Sequence, residues 1–78
     1  MKNFDIIGYF VDVNGDMSNP ADVFIAIEED NTSDIIGYCP IGQHVTISRD
    51  YISECQEITK DEYMQAAKGY YTPKEYLV

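Results

Sequence analysis

Phe4-Asp5-Ile6-Ile7-Gly8-Tyr9-Phe10-Val11-Asp12-Val13 is dense in β-branched and aromatic residues and stops at Asn14-Gly15, a strong turn signal. Strict alternation puts Ile7, Tyr9, Val11 and Val13 on one face of this strand. Ile6, Gly8, Phe10 and Asp12 then share the other. Residues 22–28 read as a second strand, with Val23, Ile25 and Ile27 in phase, followed by the polar turn Glu28-Glu29-Asp30-Asn31-Thr32-Ser33. A third strand at 34–39 repeats the first: Asp34-Ile35-Ile36-Gly37-Tyr38-Cys39 matches Asp5-Ile6-Ile7-Gly8-Tyr9-Phe10 at all positions but the last. Two copies suggest paired hairpin units rather than a solenoid. A turn at Ile41-Gly42-Gln43 leads back through Val45-Thr46-Ile47. The connections are too short for parallel crossovers, so a four-stranded antiparallel sheet of two hairpins is expected.

The remaining residues carry helix punctuation. Thr59-Lys60-Asp61-Glu62 is a capping box, with Ile58 and Tyr63 placed as a hydrophobic staple across it. Gly69 supplies a left-handed stop after Lys68, so a helix is expected at about 60–68. Thr72-Pro73-Lys74-Glu75 repeats the pattern, with Tyr71 against Tyr76. An earlier turn of helix begins at Ser48, with Tyr51, Ile52 and Cys55 on one side. Such short helices are not stable alone and must pack on the sheet. The expected fold is one α+β domain over residues 1–78, with 1–48 β-rich and 49–78 forming two or three short helices on one sheet face.

Charge narrows the function. The 78 residues hold 14 acids and 5 bases, for a formal charge of −9. The bases Lys2, Arg49, Lys60, Lys68 and Lys74 are dispersed, which argues against direct nucleic-acid binding and against docking on an anionic membrane. Met1-Lys2-Asn3-Phe4-Asp5 lacks signal-peptide regions, and no apolar run approaches the ~20 residues that cross a bilayer. A cytoplasmic protein is expected. With 45% hydrophobic and 24% charged residues the chain should fold. A domain this small has little core volume to give up to an enclosed active site, so no enzymatic activity is expected.

Asp12-Val13-Asn14-Gly15-Asp16 resembles the opening of EF-hand, dockerin and integrin-type calcium loops, where oxygen ligands recur at alternate positions. The resemblance covers only these residues: Met17 replaces the turn glycine, and Val23 stands where an EF-hand needs a bidentate Glu. Cys39, His44 and Cys55 are the one soft-ligand set, but their spacing matches no zinc pattern and a fourth Cys or His is absent. Cys39 and His44 could be read as nucleophile and base, yet nothing supplies an oxyanion site. Gly8, Gly15, Gly37, Gly42 and Gly69 form no phosphate-binding pattern. No metal or cofactor is expected. The two cysteines read as reduced, partly buried thiols, with a Cys39–Cys55 bridge as the alternative.

Charge distribution is the remaining signal. Residues 1–48 carry eight acids against the single base Lys2, whereas residues 49–78 carry six acids against four bases. Net charge of this size also keeps a small domain dispersed. The sharper expectation is a carboxylate surface that imitates phosphates and steers onto a basic, nucleic-acid-binding protein partner. Compact acidic proteins of that type recur among virus-encoded inhibitors of nucleic-acid enzymes. The contacts would be Glu28, Glu29, Asp30 and Asp34, flanked by Asp12, Asp16 and Asp22. Of the seven tyrosines, Tyr9, Tyr38 and Tyr63 read as core, and Tyr70, Tyr71 and Tyr76 as a contact patch or packed lid. The alternatives are a homodimer burying Ile6, Phe10 and Ile35, and a calcium-binding loop at Asp12–Asp22.

Overall fold

A computed structural model describes residues 4–29 and 34–77. Strands β1 (Phe4–Val11), β2 (Val23–Glu29), β3 (Ile35–Cys39), β4 (Gln43–Ile47) and β5 (Gln56–Ile58) form one antiparallel sheet in the order β4-β3-β2-β1-β5. Helix α1 (Arg49–Glu54) lies between β4 and β5, α2 (Lys60–Ala66) follows β5, and a 3₁₀ turn spans Lys74–Tyr76. The fold is α+β. The sheet has five strands rather than the expected four, because Gln56–Ile58 pairs with the free edge of β1, Ile58 opposite Tyr9 and Gln56 opposite Val11.

That fifth strand also redistributes the helices. β4 and β5 lie at opposite edges, about 19 Å apart at the ~4.8 Å strand spacing, so the chain between them must cross a face of the sheet. It crosses as α1. After β5 the chain turns back over the other face as α2. The helices therefore cover both faces, not one. On the α2 face, Tyr9, Val11, Val23, Ile25, Ile27, Tyr38 and Ile58 pack with Tyr63, Ala66 and Ala67. On the α1 face, Phe10, Phe24, Ala26 and Ile35 are buried, with Ile47, Ile52 and Cys55 against them. Two of the three apolar residues expected to await a second layer, Phe10 and Ile35, are thus already buried within the chain.

The third, Ile6, changes face. The β1–β2 register steps from Ile6↔Ile27 to Gly8↔Ala26, leaving Ile7 as the extra residue of a bulge. Ile7 is consequently exposed, and Ile6 packs with the α2-face core instead. Beyond the bulge the alternation holds.

The internal repeat has a physical reason. Gly8 and Gly37 both pair with Ala26 on the central strand, forming a row of small residues on the α1 face. A Cβ at residue 8 would stand 3.2 Å from Phe10 Cε1; one at residue 37 would stand 3.3 Å from Phe24 Cδ2 and collide with Ile47. The row lets the Phe10 and Phe24 rings lie over the strands, stacked at 5.7 Å. On the opposite face the next repeat residues, Tyr9 and Tyr38, flank Ile25. Their hydroxyls donate to the carbonyls of Tyr76 (2.8 Å) and Tyr71 (2.9 Å), and Tyr63 meets Thr72 Oγ1 at 3.1 Å. The C-terminal segment is held down by three core tyrosines, all at or below 8% exposure.

Two of the three helix signals form as the sequence suggests; the third, at Thr72–Glu75, yields only the 3₁₀ turn Lys74–Tyr76 with no side-chain cap bond, and Tyr71 stays exposed rather than closing a staple. Ser48 caps α1 by accepting from the Tyr51 amide, and both halves of the Thr59–Glu62 capping box form. Gly69 takes φ +90, beyond the end of α2 at Ala66.

Candidate functional site

The acidic residues fall at the two ends of the sheet. Asp12, Asp16 and Asp22 lie in the loop from β1 to β2, closed by the Asp12 amide donating to the Asp22 carbonyl at 2.8 Å. Asp5, Glu28, Glu29 and Asp34 lie at the opposite end, where β1 and β3 begin and β2 finishes. Asp30 falls outside the described residues. From Asp22 to Glu29 the strand rise of ~3.3 Å per residue gives a separation of about 23 Å, well beyond the screening length of ~8 Å at physiological salt. The strand-end acids do not form one continuous patch.

Within the loop, carboxylates are committed to backbone donors. Asp22 Oδ2 accepts from the Asp16 amide at 2.9 Å, and Asp16 Oδ1 accepts from the Ser18 amide (2.9 Å) and hydroxyl (2.7 Å). Those two bonds, the backbone one foremost, hold the Asp16 carboxyl below its usual titration range. Asn14 sits at φ 61 and Gly15 closes the turn onto the Asp12 carbonyl at 2.8 Å. Among the described residues, no set of three or more His, Cys, Asp or Glu side chains is arranged to hold a metal ion.

What joins the two ends is α1. Asp50 and Glu54 ride on that helix, and Glu57 on β5 projects to the same face as its partner Phe10. The register puts Asp5 and Glu28 there too, since both alternate with α2-face residues. Asp34 and Asp50 line the depression where α1 starts, and Asp12 Oδ1 accepts from Tyr51 of α1 at 3.0 Å. Burial, followed by that bond to Asp12 and the carboxylate charge, pushes the Tyr51 hydroxyl up to about 12. The one described base on α1 or β5 is Arg49, paired with Glu28. Lys60, Lys68 and Lys74 all lie on or after α2. Charge is therefore partitioned by sheet face rather than by chain half. Glu29 departs from the expected group, because its register position opposite Phe4 puts it on the α2 face.

The soft-ligand set is not assembled. Cys39 pairs with Gln43 and lies in phase with Gly37 on the α1 face, whereas His44 pairs with Tyr38 on the α2 face. Both cysteines are free thiols. Burial raises the pKa of each, and Cys39 Sγ donates to the Pro20 carbonyl at 3.3 Å. Raised thiol pKa values make poor nucleophiles.

The C-terminal tyrosines separate. Tyr70 and Tyr71 are exposed, at 51% and 74%. Tyr76 is half-buried, its ring 5.3 Å from Tyr38 and 5.4 Å from Phe4, with its hydroxyl 3.3 Å from His44 Nε2. Tyr76 is thus part of the packed lid and does not form a patch with the other two.

Beside β4, the α1 face leaves a shallow depression of about 130 Å³ between Phe24, Gly37, Val45 and Ile47, with Asp12 on its rim. Of these residues, sequence reasoning singled out Asp12 alone as part of a site. The uncharged run Gln43–Ile47, in a chain so acidic, is the signal that would have drawn attention to it. Among the described residues no helix is long and apolar enough to cross a membrane. Comparison with protein-family models, with curated proteins and with solved structures returns no match.

Proposed function

We propose that this chain is a non-enzymatic acidic binding module whose α1 face engages the basic, nucleic-acid-binding surface of a protein partner, acting as an inhibitor of that partner. The observation that carries the reading is the partition of charge. Asp5, Asp12, Asp50, Glu54 and Glu57 border one face, Arg49 is the one base described on α1 or β5, and it is paired with Glu28. An acidic face on a rigid sheet accelerates encounter with a basic groove and selects against anionic competitors.

The test is capture from lysate on the immobilised chain at low and high salt, with duplex DNA as competitor. Retained proteins should elute with salt and with DNA. Glu54→Gln with Glu57→Gln should weaken retention, whereas Glu29→Gln with Glu75→Gln, the same charge change on the other side, should not. Retention indifferent to salt, or reduced equally by both pairs, would sink the proposal.

A further inference from the structure

We infer that β4 is an open edge at which an extended, lysine-flanked segment of the protein partner adds as a further strand; this rests on the acidic-module reading and specifies how the partner is held. β4 terminates the sheet, with β3 on one side and no strand on the other. Gln43, His44, Val45 and Thr46 are all exposed. Among the described residues, the one hydrogen bond that leaves β4, other than its ladder with β3, joins the His44 ring to Tyr76. Every second backbone amide and carbonyl of an edge strand points outward, ready to pair.

Natural edges are normally blunted with lysine, proline or a bulge. Gln43–Ile47 has none of these, and its pairing with β3 is regular over all five residues. The other edge, β5, is only three residues long. The open edge is also furnished for a side chain. Val45, 49% exposed, presents an apolar side chain on the edge strand itself, against which an apolar residue of an incoming strand would pack as a cross-strand pair.

Charge selects the occupant. Asp12 stands at the Gln43 end of the depression, and Asp34 and Asp50 flank the Ile47 end beside Arg49, whose guanidinium is paired with Glu28. An apolar centre with cations at both termini matches that layout over the ~16 Å that five strand residues span. A second copy of this chain would bring another −9 to the same edge and is repelled. Strand addition of this kind draws affinity from main-chain bonds and specificity from alternate side-chain pockets.

The test uses two synthetic peptides on the full chain at low salt, one with a Val-Thr-Val centre between lysines, the other with Val-Pro-Val and identical charge. The first should slow amide hydrogen exchange within Gln43–Ile47 and bind about tenfold tighter than the second, whose central proline lacks the main-chain donor and cannot complete the ladder. Val45→Asn, with an unchanged thermal melt, should reduce the first peptide's affinity about tenfold. Equal binding of both peptides, without protection at β4, overturns strand addition and leaves charge-driven docking standing. Failure of both to bind counts against the docking reading as well. Protection of β4 that grows with protein concentration in the absence of peptide assigns the edge to a second copy and also overturns the inference.

Discussion

Asp16 shows how a single side chain in this acidic protein is occupied internally. Its carboxylate accepts two bonds from Ser18, so its pKa is depressed relative to the unfolded chain. The depressed value means the interaction stabilises the fold above the ordinary carboxylate pKa and is lost as pH falls through the folded one. Ser18→Ala removes the hydroxyl donor while leaving the amide. The Asp16 midpoint, followed by NMR titration, should rise but stay below that of an aspartate with no hydrogen-bond donor, because the Ser18 amide remains. A midpoint unchanged by the substitution would show that the hydroxyl contributes nothing. The Asp12-Val13-Asn14-Gly15-Asp16 signal was readable as a turn, but how its carboxylates are used was not. Asp22 reaches Asp16 only because the loop closes between Asp12 and Asp22, and that closure follows from the pairing of β1 with β2.

Elements were legible where their determinants are local. The Thr59–Glu62 box and the Ser48 cap lie within four residues of what they stabilise, and both form. Thr59→Ala should cost about 1 kcal/mol, lowering Tm by roughly 4–8 °C for a domain of this size. Glu62→Gln should cost less, because Gln can fill the same role. Equal Tm values for Thr59→Ala and the parent would contradict this. β5 was missed for the opposite reason. Gln56 and Glu57 are polar, the strand is three residues long, and its only justification is the free edge of β1. The bulge at Ile7 was likewise hidden, since two consecutive isoleucines carry no marker of which one leaves the ladder. Gly37→Val tests the small-residue row: overpacking against Ile47 and Phe24 should destabilise by about 1–3 kcal/mol. Denaturant titration would read it as a lower midpoint with unchanged slope.

At the scale of the molecule, the tyrosines set the alkaline limit. Burial pushes Tyr63 up to about 12, Tyr51 reaches about 12, and Tyr38 and Tyr76 also rise with burial as the leading cause. The unfolded chain ionises its tyrosines near pH ~10. A raised folded pKa makes the stabilisation complete below that value and progressively lost as pH climbs toward 12. Circular dichroism and tyrosinate absorbance should therefore change together in that window. Ionisation of Tyr38, Tyr51, Tyr63 and Tyr76 near ~10, followed residue by residue by NMR while the fold persists, would refute the burial argument. Tyr63→Phe should cross over: about 1 kcal/mol less stable at neutral pH through loss of the Thr72 bond, yet more resistant to alkali. The distribution of charge was only half visible beforehand. Counting acids along the chain located the surplus in the first 48 residues, but their division between two sheet faces depends on the route of the chain from β4 to β5.

That route also decides what the two glycines of the repeat can become over time. Phe10 and Phe24 rest on Gly8 and Gly37 while α1 closes over them, so ring and floor occupy one shared volume. A lineage that gained a methyl at Gly8 would have to draw back the Phe10 ring, and one that gained it at Gly37 would have to shorten or turn Ile47. Distant descendants of this chain should therefore be sought by the joint drift of the two glycines, the two rings and Ile47, even after the carboxylates have been reshuffled beyond alignment.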